Sequence, residues 1–284
     1  MKTPADFNSS VIELTDILDP RLDIFRSMKQ TNSTRDTPYF VMEGSLLVER
    51  LLQSRFETAC ILTHREKLDS SPFPIPPEVP RYLVPRHFMT ELVGFSFHQG
   101  ILACGIRKPW PSLTDLLNTT EMETVVVCPA IDNPENLGSI ARTAEALGVG
   151  TIIVGNESPD PLSRRLTRVS MGATLKLPIM KFNNVHEALD ELQSAGFEFA
   201  ATLPGQDCIE LERFARPDKC ALLLGREREG LAEDFIRRAH HRVTISMIPG
   251  ADSLNVSVAA GIFLYHLSRG LKHTQVISCD SAQT

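Results

Sequence analysis

The sequence predicts an α/β protein in two parts: a small α/β unit, then a larger one built on a mostly parallel sheet with helices on both faces. Three observations predict this. Apolar, β-branched runs such as "TVVVC" (124–128), "TIIVG" (151–155) and "CALLLG" (220–225) alternate with amphipathic stretches such as "SIARTAEALG" and "VHEALDELQSAG". Strands apolar throughout are buried on both faces, as parallel sheets under crossover helices require. The 284 residues, 42% apolar and 23% charged, suffice for two cores of ordinary size. The stretch "RKPWPSLTDLLNTTEME", rich in proline and polar residues, separates an irregular first part from a regularly alternating second part.

Along the chain, residues 1–37 read as a loose polar tail with one short helix, capped by Asp19 with Pro20 at its first position. Residues 38–107 form the small unit. Leu46, Leu47, Arg50 and Leu51 keep helical spacing, and "TACILTH" is a strand. "SPFPIPPEVP" (71–80) continues neither element because its prolines lack the N–H. "RHFMTELVG" is a helix and "FSFHQGILACGI" a strand pair about a turn. Residues 108–123 are the linker. In residues 124–270 the further strands are "LKLPIM", "FEFAAT" and "RVTISMI", with helices at "AEDFIRRAH" and from Val256 to Leu267. Residues 271–284 are a second polar tail.

Composition removes several classes of function. The start, "MKTPADFNSS", has no apolar core of a secretory signal. The longest apolar run, "VSVAAGIFLY", falls short of the ~20 residues that span a bilayer, so no membrane association is expected. Cysteines 60, 104, 128, 208, 220 and 279 show no CxxC pairing or metal-ligand rhythm, and read as reduced thiols of a cytoplasmic protein. The net charge of −6 argues against indiscriminate nucleic-acid binding, but it permits a local basic face. Arginines do cluster, at "RRLTR" (164–168), "GRER" (225–228) and "RRAHHR" (237–242).

Ligands of open α/β sheets collect at the carboxyl ends of the strands. No G-x-G-x-x-G follows the first strand there, and "GREREG" lacks the Lys and Ser/Thr of a phosphate-binding loop. Three other segments stand out. In "DNPENLGSIARTAEALGVG", Asn136 and Gly138 end a loop. The following helix buries Ile140, Ala144 and Leu147, and this leaves Arg142 free to face a site or an interface. In "LLLGREREGL", Gly225 ends a buried strand where a backbone can approach a ligand closely, and Glu227 follows it. In "ISMIPGADSLNVSVAAG", Ser253 suits an N-cap, and Asn255 adds a polar group that capping does not require. Each segment has an ordinary explanation: an exposed helix arginine, a charged turn, a helix cap.

Taken together, with their order and spacing, the three segments resemble the SpoU-type (TrmH-like) RNA ribose 2′-O-methyltransferases of the SPOUT superfamily, over residues 124 to 270. The resemblance implies a deep trefoil knot and S-adenosylmethionine as cofactor. It implies a homodimer through the C-terminal domain, with the small residues of the last helix at the contact. "YFVMEGSLLVERLL" and "HQGILACG" are similar to the small RNA-binding module, related to ribosomal proteins, that often precedes this domain. Carried over by position, Thr202, Leu203, Gly225, Ile245 and Leu254 line the cofactor loops, while Arg142, Asn136, Glu227, Ser253 and Asn255 surround the target ribose. One departure is Ser246, where the family's third motif usually has proline after isoleucine.

A guanidinium stays protonated up to a pKa above ~12, so two accounts of Arg142 stand side by side. It loses a proton with help from the substrate phosphate, or it stays charged, clamps that phosphate and stabilises the developing alkoxide. No metal-ligand set is visible, and transfer from a sulfonium requires none. The expected substrate is ribosomal or transfer RNA, and the N-terminal module favours the ribosomal one. Two alternatives remain: a non-catalytic RNA-binding protein on this fold, which would not bind the cofactor, and a base methyltransferase, which would leave the methyl on the base.

Overall fold

A computed structural model of the chain describes residues 11–26, 37–94, 97–205, 207–226, 229–248, 250 and 253–269. The first part holds a five-stranded mixed sheet in the order β1-β4-β3-β5-β2. Its strands are β1 (Val11–Glu13), β2 (Tyr39–Glu43), β3 (Thr58–Thr63), β4 (Arg81–Leu83) and β5 (Ile101–Ile106). The helices α1 (Ser45–Leu52), α2 (Arg65–Asp69) and α3 (Arg86–Val93) connect them. β1, β4 and β3 run parallel, and β5 is antiparallel to both β3 and β2. Gly105 on β5 has no Cβ for a steric reason: one there would lie 2.3 Å from the Phe40 ring packed over it.

Three expectations for this part need correction. Residues 11–26 are not loose. Val11–Glu13 adds an edge strand, and Leu22 and Phe25 are fully buried in the core. The short helix is there as expected, a 3-10 turn at Pro20–Phe25 whose cap Asp19 accepts from the Arg21 N–H. The apolar pair Leu22 and Phe25 is what anchors the segment. Of "FSFHQGILACGI", residues 95 and 96 lie outside the described residues, and the described remainder supplies one strand rather than a pair, with Gly100 at φ +70 directly before Ile101. Residues 108–123 do more than link: α4 (Leu113–Thr119) buries Leu113 and Leu116 under the second sheet.

The second part is a seven-stranded sheet in the order β10-β12-β9-β11-β6-β7-β8, parallel at every pairing. The strands are β6 (Thr124–Cys128), β7 (Thr151–Gly155), β8 (Ile179–Phe182), β9 (Glu198–Thr202), β10 (Ile209–Glu210), β11 (Cys220–Leu223) and β12 (His241–Thr244). Their residues alternate between two cores. Val126, Cys128, Ile152, Val154 and Leu222 meet α5 (Pro134–Ala146) and α9 (Val256–Ser268). Val125, Val127, Ile153, Phe199 and Leu223 meet α4, α7 (Val185–Ser194) and α8 (Glu233–Arg238). Two strands are offset from their expected spans. Residues 173–175 form a 3-10 turn, so β8 starts at Ile179, and β12 ends at Thr244, before Ile245.

The two parts meet along a packed seam. α6 (Arg164–Val169) lies against both β2 and α5, and Leu162 and Leu175 join a core with Phe40, Met42 and Leu47. Arg107 grips the buried Asp160 at 2.6 Å, Arg164 lies 3.0 Å from Glu43, and Arg50 donates to the Met171 carbonyl. No helix among the described residues is long and apolar enough to cross a membrane.

Candidate active site

Asn136, Asn255 and the expected cofactor residues lie towards the carboxyl end of the parallel sheet. β6 leads into α5, which begins earlier than periodicity suggests: Asn133 accepts from the Glu135 N–H at 2.8 Å, and Pro134 takes the first helical position. Asn136 and Gly138 therefore lie inside the helix rather than in a loop, and Asn136 is buried. Its Oδ1 accepts a hydrogen bond from Asn255 Nδ2 at 3.1 Å. Asn255, and not Ser253, caps α9, with Oδ1 accepting from the Ser257 N–H at 2.9 Å and the Val258 N–H at 3.4 Å. An asparagine carries an acceptor and donors on one planar amide, so one atom caps while the other reaches α5. Ser253 is exposed just ahead of the cap.

The expected cofactor residues converge at the ends of three neighbouring strands. β9 lies between β12 and β11, with Val243 opposite Thr202 and Leu223 opposite Ala201. Thr202 Oγ1 donates to the Leu223 carbonyl at 3.0 Å, and the Leu203 N–H donates to the Val243 carbonyl at 3.0 Å. Gly225 follows β11 and Ile245 follows β12, where Ile245 packs partly against the core. A Cβ on Gly225 would lie 2.2 Å from both the Gly230 carbonyl carbon and the Leu231 nitrogen. Only a glycine lets the strand end pass that backbone. Arg226 and Gly230 exchange backbone hydrogen bonds of 2.9 and 3.1 Å, which closes the loop. Glu227 lies outside the described residues. Leu254 is 38% exposed, one residue before the α9 cap.

Arg142 stands apart from this convergence. It lies six residues beyond Asn136 on α5, about 9 Å along the axis and roughly 120° around it. It is exposed, with no hydrogen bond or ion pair among the described residues. The neighbouring Thr143 meets α9, where its Cγ2 would be 3.8 Å from a Cβ on Gly261. The outer side of α9 is apolar, with Val258 51%, Ile262 40% and Tyr265 64% exposed at i, i+4, i+7.

Burial pushes the Cys128 and Cys220 thiols up to about 12, so neither is a nucleophile at neutral pH. Among the described residues no cluster of His, Cys, Asp and Glu has the arrangement of a metal site. Two of the arginine clusters have structural partners: Arg238 bonds Asp190 at 2.6 Å, and Arg226 Nε donates to the Ala130 carbonyl at 2.8 Å. That last bond ties the β11 loop to the β6 loop. Sequence reasoning missed it, although two glycines bracketing a charged run were its visible signal. The remaining cluster, on α6, includes Arg165, paired at 2.6 Å with Glu135 beside Asn136.

Comparison with known proteins gives concordant results. The model of the SpoU rRNA Methylase family matches residues 123–265. An uncharacterised tRNA/rRNA methyltransferase of Mycobacterium bovis is 34% identical over 271 residues, 93% of each chain. Among solved structures, an AdoMet-bound rRNA methyltransferase from Sinorhizobium meliloti is 25% identical with a TM-score of 0.78, over 92% of this chain and 98% of that one. An RNA 2′-O ribose methyltransferase is 25% identical with a TM-score of 0.69, over 91% and 98%.

Proposed function

This chain belongs to the SpoU rRNA Methylase family, and from that premise we propose how its residues transfer a methyl group from S-adenosylmethionine to a ribose 2′-hydroxyl of RNA. One observation carries the residue assignment. Three adjacent strand ends, at Leu203, Gly225 and Ile245, share one edge of the sheet with the bonded pair Asn136 and Asn255.

The residues there fit the cofactor. Backbone groups at the strand ends suit the polar edges of a nucleoside, and the Leu203, Ile245 and Leu254 side chains suit its ring. Gly225, with no room for a Cβ, leaves the loop flush with its neighbour. Bound S-adenosylmethionine supplies a methyl group already activated on a sulfonium. The protein's task is then to hold the ribose oxygen in line with that carbon and to accommodate the charge the oxygen acquires. Ser253 donates to a ribose or phosphate oxygen, and Glu227 orients a guanidinium by charge-assisted hydrogen bonds. Arg142 keeps its proton, clamps the phosphate beside the target ribose and stabilises the developing alkoxide, while the proton of the 2′-hydroxyl passes by way of that phosphate oxygen to water. Ser246, where the family usually has proline, loosens the cofactor loop slightly without removing a contact.

Arg142 lies away from Asn136 in its own subunit, which supports a homodimer in which the guanidinium serves the other copy's site. The apolar stripe Val258, Ile262 and Tyr265, next to α5, is the proposed contact. The chain between β9 and α9 is proposed to form a trefoil knot, which the placement of β9 between β12 and β11 supports. The small unit, residues 38–107, is proposed to bind RNA, ribosomal before transfer RNA. Free cysteines at 60, 104, 128, 208 and 220 support a cytoplasmic location.

The test is calorimetry with S-adenosylmethionine, followed by methylation of unmodified ribosomal and transfer RNA and mass analysis of the nucleosides. A 2′-O-methylnucleoside is expected. A methyl on the base, or no cofactor heat, would refute the assignment.

A further inference from the structure

We propose that Arg165 and Arg168 on α6 carry an RNA backbone across the seam, from the first part of the chain to the site. This rests on the methyltransferase reading above. Every charged residue of α6 is an arginine, although the whole chain carries a net charge of −6. Arg164 points into the seam, 3.0 Å from a Glu43 carboxylate whose side chain is 8% exposed. It therefore already neutralises that buried charge. Arg168 lies 3.7 Å from the same carboxylate, too far for a hydrogen bond, and is 53% exposed. It is a surplus cation on the surface.

Arg165 bonds Glu135 at 2.6 Å, with side chains 60% and 55% exposed. A pair so exposed contributes little to stability. It does present a guanidinium in the geometry a phosphate would take from the carboxylate. Glu135 adjoins Asn136, so this exchange occurs at the threshold of the site. Arg142 lies on the same face of α5 as Glu135, two turns or about 11 Å further on.

The platform beneath these arginines is fixed. α6 ends in a tight corner with Met171 at φ 52 and Gly172 at φ 79. Met171 is the one residue other than glycine with a positive φ among those described, and its carbonyl accepts from Arg50 on α1. A non-glycine residue holds that conformation only where its surroundings impose it. The corner therefore sets α6 against the first part, so that its exposed arginines lie beside the seam.

The test is fluorescence anisotropy of the full chain with a fluorescein-labelled single-stranded RNA of mixed sequence, across a range of salt. Arg165→Gln/Arg168→Gln should weaken binding about tenfold and flatten the slope of log K against log salt by about 1.4, at ~0.7 per lost phosphate contact. Glu135→Gln should act in the opposite direction and tighten binding about two- to threefold, since it removes the internal competitor for Arg165. A structural role for the pair would weaken binding in both variants, and that result would overturn the proposal. Calorimetry with S-adenosylmethionine checks that each variant is folded, and Arg165→Lys/Arg168→Lys should recover part of the slope. Unchanged binding by the Gln variant, with wild type binding and methylating RNA, overturns the seam assignment alone. Wild-type protein that neither binds nor methylates RNA overturns the methyltransferase reading with it.

Discussion

Asn255 on the last helix donates its side-chain amide to Asn136 on the first helix of the catalytic part, at 3.1 Å across 119 residues of sequence. The same Asn255 amide caps α9 through its oxygen. Removing it therefore takes away two things. Loss of a cap costs roughly 0.5–2 kcal/mol, and an unpaired buried acceptor on Asn136 costs about 1–3 kcal/mol. Asn255→Ala is expected to lower the urea-unfolding free energy by about 1.5–5 kcal/mol, the sum of those two losses. Asn255→Ser keeps a capping oxygen and should recover the smaller part. A double-mutant cycle with Asn136→Ala checks the coupling, expected at roughly 1 kcal/mol; additivity would mean the two residues act independently.

Gly225→Ala tests the loop behind the proposed cofactor site. The new Cβ would fall 2.2 Å from backbone atoms of Gly230 and Leu231, and backbone cannot step aside as a flexible side chain can. The loop must move, which disturbs the Arg226–Gly230 pairing and the Arg226 bond to Ala130. Overpacking of this kind costs about 1–3 kcal/mol. Calorimetry should show affinity for S-adenosylmethionine reduced at least tenfold with the sheet retained by circular dichroism. Native affinity would separate the loop from cofactor binding.

β6, β7 and β11 are legible in the sequence because each is apolar on both faces, a pattern that turns and surface helices do not produce, whereas β10, the two exposed residues Ile209–Glu210, carries no such pattern and is not read. Element ends are less so. α5 starts at Pro134, five residues before Ser139, where periodicity first suggests a helix, because a proline is tolerated in the first turn. Ser253 and Asn255 look alike as caps, and only the partner on α5 distinguishes them. Val11–Glu13 reads as tail because a three-residue edge strand is too short for alternation to show. The site motifs can be read by their spacing, but their distances cannot. That Arg142 and Asn136 face different sides of α5 follows from helix geometry once the start of the helix is known.

Asp19 makes the acid stability of the first part measurable. The Arg21 side chain, which donates from Nε at 2.9 Å and from Nη2 at 2.6 Å, holds the Asp19 carboxyl below its usual value of 3.8. A carboxyl depressed in the folded state stabilises it above the unfolded pKa, and that stabilisation is lost as pH falls through the folded value. Urea midpoints should therefore fall between about pH 5 and pH 2 by less in Asp19→Asn than in wild type. An identical pH slope in both proteins would assign the acid sensitivity elsewhere.

The proposed trans role of Arg142 makes the sharpest demand on the structure. Because Arg142 is exposed and bonded to nothing among the described residues, Arg142→Ala should leave the melting temperature unchanged. Loss of one transition-state stabiliser is expected to lower kcat by about 100- to 1000-fold. Arg142→Lys keeps a charge and should recover part of that loss if the residue acts electrostatically. If the dimer forms through Val258, Ile262 and Tyr265, then Ile262→Asp should sediment as a monomer and lose activity although its own Arg142 is intact. Co-expression of Arg142→Ala with Gly225→Ala then separates the two arrangements. Heterodimers would be about half of the mixture and carry one complete site each if Arg142 reaches across, giving roughly a quarter of wild-type activity. If Arg142 serves its own subunit, every site in the mixture lacks one element, and activity stays at the level of the single variants. Recovery in the mixture requires the two-copy site, because no other pairing of these chains assembles an intact arginine with an intact loop.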